Sequence, residues 1–301
     1  MGRIGITVGD LKGIGEEIVT KALSELNLPR EDVVIIGKKV GDYDFVEVDA
    51  ADNGKFCYDC LALAAYMARR GEITALVTAP VSKEVLHASG YKFSGQTEVL
   101  GELLGATAGV GVAANKPEML FIAGDLRVML LTRHLSLAQV PSAINEEMII
   151  EKTLRLNTFL CDKLKIESPR IAFCALNPHA GEGGILGTEE IEIINPALEK
   201  LRACGIDITD ALSADGLFAK IGKKYLARAP QDYDAVIASY HDQALCAVKA
   251  LAFDEVVNVS IGLKIIRTSP SSGTAYDIAG KGIADPKSMI EAIKLAATLN
   301  G

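Results

Sequence analysis

The sequence predicts an α/β fold with a mixed or parallel sheet. Three observations predict it. Short β-rich runs alternate with longer amphipathic stretches along the whole chain. Several of the short runs are continuously apolar, as strands covered on both faces require. Glycine-rich turns follow two of them, where a strand hands over to a helix. The length of 301 residues suggests about two domains at roughly 150 residues each. No Pro/Ser-rich linker separates them, so crossing chains rather than a tether join the two.

The elements follow in order. Expected strands are Arg3–Val8, Val33–Gly37, Ile73–Thr78, Met119–Ala123, Arg127–Thr132, Arg170–Leu176, Ala235–Tyr240 and Val256–Ile261. The stretch Cys57–Arg70 reads as helical. A long helix is expected over Leu137–Leu164, opened by Ser136 with Gln139 three residues on, a capping-box pattern. Pro141 breaks its first part. Another helix starts after Thr188, carries Glu189 and Glu190 in its first turn, bends at Pro196 and stops at Gly205.

Composition removes several classes of function. Hydrophobic residues make up 49% and charged residues 23%, which is globular and excludes a disordered or collagenous chain. The net charge is −8, without a compensating basic block, so neither nucleic acid nor an anionic membrane surface is an expected partner. An acidic chain that binds an anion must gather its cations locally. No apolar run reaches the ~18 residues a membrane span needs, and no signal or transit segment opens the sequence. The six cysteines are scattered and form no disulfide framework. Cys57 and Cys60 make a C-x-x-C, but within a helix rather than after a strand, which is the wrong setting for a redox motif. The expected compartment is the cytoplasm.

Of four histidines, three share one context. His134, His179 and His241 each follow an expected strand, and ligands of open α/β sheets sit beyond the carboxyl ends of strands. Taken singly, each could be a capping or core residue. Together they make a metal-ligand set. His87 lies before Gly90 at a helix end, where a cap is the better reading. The loop Asn177-Pro-His-Ala-Gly-Glu-Gly-Gly184 has three glycines in four residues and leads into a helix N-terminus, which suits close approach of an anion. It lacks the Lys-Ser/Thr of a nucleotide P-loop. Asp242, next to His241, has three readings: ligand, imidazole orienter or turn residue. Two more glycine-rich segments, Gly9–Gly15 and Gly273–Pro286, suit backbone contact with a cofactor.

The segment Gly273-Thr-Ala-Tyr-Asp-Ile-Ala-Gly-Lys-Gly-Ile-Ala-Asp-Pro286 resembles the cofactor-side loop of the β-decarboxylating dehydrogenases, typified by isocitrate and isopropylmalate dehydrogenases. Gly5–Asp10, Gly13-Ile-Gly15, Thr97-Glu98, Leu176–Gly184, Gly187–Glu190, Tyr240-His-Asp-Gln243 and Ile266-Arg-Thr-Ser269 resemble the 4-hydroxythreonine-4-phosphate dehydrogenase family, in order from residue 4 to about 295. The resemblance implies two α/β domains with an active-site cleft between them, an isocitrate/isopropylmalate dehydrogenase-like fold. A cofactor-side domain would take residues 1–95 plus 255–301. A metal, substrate and dimerisation domain would take residues 96–254.

It further implies a homodimer that uses NAD or NADP and a divalent metal such as zinc, magnesium or cobalt. The metal ligands fall on His134, His179 and His241, with His241 from the opposite subunit. Substrate positions fall on Gln96, Thr97, Lys249, Asn258 and Arg267, and cofactor contacts on Gly273, Thr274, Ala275 and Asp277. The general base is not assigned, and Asp215 and Asp242 are the candidates. The implied reaction oxidises the hydroxyl of 4-phosphohydroxy-L-threonine and then decarboxylates the β-keto acid, in pyridoxine and pyridoxal 5'-phosphate biosynthesis.

Four segments depart from the family pattern. Gln96 replaces a histidine, Gly9-Asp-Leu-Lys-Gly13 replaces Gly-Asp-Pro-Ala-Gly, Ser271-Ser272 replaces Asp-His, and Lys264 replaces the proline of Gly-Leu-Pro. All touch substrate or cofactor edges, and none touches the metal set. They open an alternative substrate class: phosphorylated four-carbon sugar acids (4-phosphothreonate or erythronate) or a dihydrodiol carboxylate. A metal-dependent hydrolase that uses the same histidines on a water is the rival from another class.

Overall fold

A computed structural model of the chain describes residues 2–105 and 117–300. In chain order the first elements are β1 (Ile4–Thr7), α1 (Gly15–Leu26), β2 (Val33–Gly37), β3 (Asp44–Glu47), α2 (Asn53–Arg69), β4 (Ala75–Thr78), α3 (Lys83–Ala88) and α4 (Gln96–Leu104). Then come β5 (Glu118–Ala123), β6 (Leu126–Leu130), α5 (Val140–Ala143), α6 (Glu146–Asp162), β7 (Ile171–Cys174), α7 (Asn195–Ala203), β8 (Ile208–Leu212), α8 (Ala214–Leu226), β9 (Ala235–Ala238) and α9 (His241–Ala252). β10 (Val257–Ile261), β11 (Ile266–Pro270) and α10 (Lys287–Asn300) complete the set. Alternation of strand and helix is the α/β class expected.

The chain divides into two compact units. The first holds residues 2–105, 117 and 254–300 of those described, and the second holds residues 118–253. Helix α4, which opens with Gln96, therefore belongs with the first unit. In that unit the strands run β3-β2-β1-β4-β11-β10. All neighbours are parallel except β10, which is antiparallel to β11. Every residue of β1, β2 and β4 is buried, which is why these segments read as unbroken apolar runs. Helix α10 packs on β4, β10 and β11 and against α1, while α2 packs on β1 and β2.

In the second unit the order is β5-β6-β9-β7-β8. β5 and β6 form a hairpin, and the remaining pairs are parallel. Helix α9 packs on β6 and β9, and α7 packs on β8 and α6. The carboxyl ends of β6, β9, β7 and β8 thus lie side by side, and the loops that leave them carry the candidate residues.

Two expected helices differ in detail. The stretch Leu137–Leu164 is not one helix. A 3-10 turn (Leu137–Gln139) and α5 end at Ile144, whose ψ of 124° is extended, and α6 begins afresh with Asn145 capping Met148 N at 2.9 Å. Pro141 sits in the first turn of α5, where its missing N–H costs nothing, so the break falls later than expected. The Ser136–Gln139 pair does form: Gln139 Oε1 accepts from the Ser136 hydroxyl at 2.7 Å and from its N–H at 3.3 Å. Ahead of α7 the chain makes one π turn, Glu190–Ile194, so Pro196 meets a ladder already interrupted.

Candidate active site

His134 leaves the end of β6, and His241 opens α9 just beyond β9. The two strands stay paired past their ends through Leu131 N to Ala238 O (2.8 Å) and Thr132 N to Ser239 O (3.2 Å). The side chain of Gln243 fixes the next junction. It accepts from Ser239 N at 2.8 Å and donates to Ala175 O, beyond β7, at 2.7 Å. With these ends locked, the rings of His134 and His241 lie 5.7 Å apart, centroid to centroid, within one chain.

That spacing tests whether an ion fits. A metal–nitrogen bond of about 2.1 Å puts a ring centroid about 3 Å from the ion, so two rings sharing it stand about 5–6 Å apart. The pair fits. Asp242 Oδ1 lies 2.7 Å from His241 Nδ1; a carboxylate there accepts a hydrogen bond and so favours the tautomer with its proton on Nδ1, which leaves the Nε2 lone pair for a metal. Asp242 therefore has the geometry of an orienter. Among the described residues no set of three or more His, Cys, Asp or Glu side chains assembles within the chain.

His179 follows β7, and Asp215 opens α8 just after β8. The Asp215 carboxyl is held below its usual range, first by the Ser213 hydroxyl, then by the Gly216 N–H and, to a lesser extent, by its nearness to His179. The backbone at His179 is unusual. Residues 179–183 all have φ between +46° and +78°, and three of them, His179, Ala180 and Glu182, carry side chains. At ~1–2 kcal/mol for each such residue, the turn stores roughly 3–6 kcal/mol of strain. Asn177 anchors its start: its N–H and Nδ2 reach Glu190 at 2.8 and 2.9 Å, and Nδ2 also reaches Glu189 at 2.7 Å.

In the first unit, Arg267 on β11 is 2% exposed, and its partners are hydroxyls. Its Nε and Nη2 donate to Thr78 Oγ1 at 3.1 and 2.6 Å, and its Nη1 donates to Thr97 at 3.3 Å and Ser260 at 3.0 Å. Burial pulls its pKa down to about 10, with some relief from the charge of Glu98. A buried cation met by hydroxyls rather than by a carboxylate keeps its charge for an anion. Asn258 is opposite Ser269, and Ser260 is opposite Arg267, so all four share one face of the β10–β11 pair. Asn258 Oδ1 is buried without a hydrogen-bond partner. Gln96 donates from Nε2 to Ala79 O at 3.0 Å, which turns its own oxygen away from that carbonyl. Thr78 and Ser260 were not singled out from sequence; a hydroxyl at the end of an apolar strand was the available signal. Lys249 is half-buried about two turns along α9 from His241.

The glycine-rich loop after β11 is tied to the loop after β1. Ile14 N donates to Thr274 O at 3.0 Å, and a Cβ on Gly13 would stand 2.9 Å from that oxygen, so only glycine admits the contact. Asp10, 1% exposed, accepts from Tyr276 Oη at 2.5 Å, Asn53 Nδ2 at 2.7 Å and Lys12 N at 2.9 Å. Gly273 and Asp277 are exposed, and Ala275 has φ +45°. Cys57 and Cys60 are buried near this loop; burial raises both thiols, Cys60 to about 12. They stay protonated, which removes the C-x-x-C as a redox motif. His87 Nε2 meets Phe93 O at 2.8 Å, a local structural role.

Comparison with solved structures gives the architecture a class. The 4-hydroxythreonine-4-phosphate dehydrogenase of Klebsiella pneumoniae matches with a TM-score of 0.83 at 30% identity, over 99% of this chain and 98% of that one. At low identity the likeness, of fold alone, extends to isocitrate dehydrogenases. The chain is 48% identical over 233 residues to the 4-hydroxythreonine-4-phosphate dehydrogenase of Caulobacter vibrioides, covering 77% of this chain and 67% of that protein. It is 36% identical to the D-threonate 4-phosphate dehydrogenase of Cupriavidus necator, over 98% and 96% of the two chains. The molecule is thus an NAD(P)-dependent oxidoreductase with an α/β fold. The model of the family described as pyridoxal phosphate biosynthetic protein PdxA matches residues 14–296, and the chain belongs to that family. No helix among the described residues is long and apolar enough to cross a membrane.

Proposed function

We propose that this enzyme oxidises the hydroxyl of 4-phosphohydroxy-L-threonine with NAD or NADP, and that the β-keto acid formed then loses carbon dioxide. The observation that carries the reading is the approach of His134 and His241 to 5.7 Å at neighbouring strand ends, a spacing suited to one divalent ion. Such an ion, when bound, polarises the substrate hydroxyl and favours its ionised form. The nicotinamide cofactor, when bound, accepts the hydride.

The chain's own residues do the rest. Arg267, held by Thr78, Thr97 and Ser260, binds the phosphate or carboxylate of the substrate. Asn258 Oδ1, without a partner of its own, accepts from a substrate hydroxyl or ammonium group. Lys249 adds a second cation. Asp242 orients His241, which leaves Asp215, kept ionised beside Ser213, as the better candidate to receive the hydroxyl proton. The Gly273–Ala275 backbone and Asp277 would hold the nicotinamide nucleotide.

The 5.7 Å approach of His134 to His241 within one chain supports a sharing of ligands other than the one the family resemblance implies, in which His241 comes from the opposite subunit. We assign that pair to one protomer and His179 to a second copy of the chain. Exposed apolar side chains beside these histidines, Leu135 and Leu137 on one side and Ile185 and Leu186 on the other, support a surface that a second copy covers. Mixing tests the assignment. A His134→Ala subunit with a His179→Ala subunit restores one intact site per heterodimer; His134→Ala with His241→Ala restores none. The reverse result returns His241 to the partner.

A second substrate reading, a phosphorylated four-carbon sugar acid, is favoured by Gln96, which presents a neutral amide where the family has an imidazole, and by the likeness to a D-threonate 4-phosphate dehydrogenase. Appearance of reduced nicotinamide, followed by its near-ultraviolet absorbance, with 4-phosphohydroxy-L-threonine, 4-phosphothreonate and 4-phosphoerythronate separates the two. Silence with all three, with either cofactor and added metal, refutes both.

A further inference from the structure

The strained turn that carries His179 must be held by something, and the structure shows what holds it. Glu190, 1% exposed, lies beneath the turn and touches it twice. Its Oε1 accepts the N–H of Asn177 at 2.8 Å, and its Oε2 accepts Asn177 Nδ2 at 2.9 Å, at the start of the turn. The same Oε2 stands 2.9 Å from where a Cβ on Gly181 would project, in the middle of the turn. Gly181 O in turn accepts Leu186 N at 3.0 Å, which closes the loop. Gly187 completes the bracket: a Cβ there would fall 2.4 Å from Asn177 Nδ2.

Glu190 makes no ion pair among the described residues, so a fully buried carboxylate is balanced by N–H donors and by its place in the first turn of the π segment leading to α7. A neutral glutamine of the same shape would remove the cost of burying charge. It would also set its own NH2 against the N–H or the NH2 of Asn177, donor against donor, and release the turn.

We propose that Glu190 is a positioning residue: through Asn177 and the floor of the turn at Gly181 it holds His179 in its left-handed conformation as a metal ligand. The inference rests on the proposed role of His179, and the test separates the two. Metal-free parent, Glu190→Gln, Asn177→Ala and His179→Ala proteins are titrated with cobalt(II), and the visible spectrum of the bound ion and the thermal midpoint of the metal-free protein are recorded. Glu190→Gln is expected to keep the metal-free midpoint within a few degrees of the parent, to weaken cobalt binding by about 10- to 100-fold and to change the spectrum of what binds. Asn177→Ala, which keeps the carboxylate, shifts affinity in the same direction and covers the case in which Glu190→Gln does not fold. If His179→Ala abolishes tight binding while Glu190→Gln and Asn177→Ala bind cobalt with the parent's affinity and spectrum, the positioning role is refuted and the ligand role stands. If His179→Ala itself binds cobalt as the parent does, both fall.

Discussion

Arg267→Met removes a buried charge from a nest of hydroxyls, and the structure allows its two effects to be sized separately. A pKa drawn down to about 10 means that keeping the guanidinium charged inside the fold costs ~3 kcal/mol, at 1.36 kcal/mol per pH unit. Against that cost stand its four hydrogen bonds to Thr78, Thr97 and Ser260, two of them long at 3.1 and 3.3 Å, at roughly 1 kcal/mol each net and so ~4 kcal/mol together. The two nearly cancel. Methionine fills similar volume, and Thr97 and Ser260 already lie 3.3 Å apart, able to pair once the guanidinium is gone. The ligand-free protein is therefore expected to change in stability by no more than ~1–2 kcal/mol in urea unfolding. Substrate binding has no such compensation. Four of the five guanidinium N–H groups are already engaged, so one charge-assisted hydrogen bond from the remaining Nη2 N–H to a phosphate or carboxylate, at ~1.5–3 kcal/mol, puts the loss at roughly 10- to 10²-fold in kcat/KM. A variant that unfolds several kcal/mol more easily without ligand makes Arg267 a structural residue. One that keeps the parent's kcat/KM removes the anion site.

Gln243→Leu leaves Ser239 N–H and Ala175 O without their bridge, and a loss of ~2–4 kcal/mol, seen as a clear fall in thermal midpoint, is expected. Tyr276→Phe takes one donor from the buried Asp10 carboxylate; its mark should be a rise in KM for the nicotinamide nucleotide that exceeds any rise for the substrate. In the native protein, iodoacetamide at pH 8 should label exposed Cys204 and Cys246 well before buried Cys57, Cys60 and Cys174, as read by peptide mass spectrometry. Ile185→Asp, which places a charge on one of the most exposed apolar side chains, should lower the apparent mass in sedimentation if a second copy covers it.

What the sequence made legible followed burial. Strands covered on both faces, such as β1, β2, β4 and β9, stood out as apolar runs. The edge strands β3 and β8 were missed because they are only partly covered, β3 being exposed at Asp44, Phe45 and Glu47 and β8 at Asp210, and the polar residues among these break the apolar run. β11 was missed for the opposite reason. It is fully buried, yet it reads Ile-Arg-Thr-Ser-Pro, because Arg267 and Ser269 share the site's face while the Thr268 hydroxyl, on the other face, donates to Ala292 O. The histidines were legible from their places after strands, but which two rings meet depends on the order β6-β9-β7, which places β9 between its partners. The left-handed turn at His179 was hidden for a local reason: His179 and Ala180 are poor residues for positive φ, and the bracket that compels it joins Asn177 to a carboxylate thirteen positions later.

The placement of β11 beside β4 has a consequence for the order in which the nascent chain can fold. β1 to β4 leave the ribosome early, but the parallel edge of β4 finds its neighbour only when residues 266–270 have been made. Residues 118–253, by contrast, hold the described strands and helices of their own unit in one continuous stretch. That stretch can close first, while the N-terminal strands wait with an apolar edge open to other chains. Release of a chain that stops short of β11 would leave that edge exposed for good. Truncated products should therefore aggregate through their N-terminal third rather than through the histidine-bearing unit.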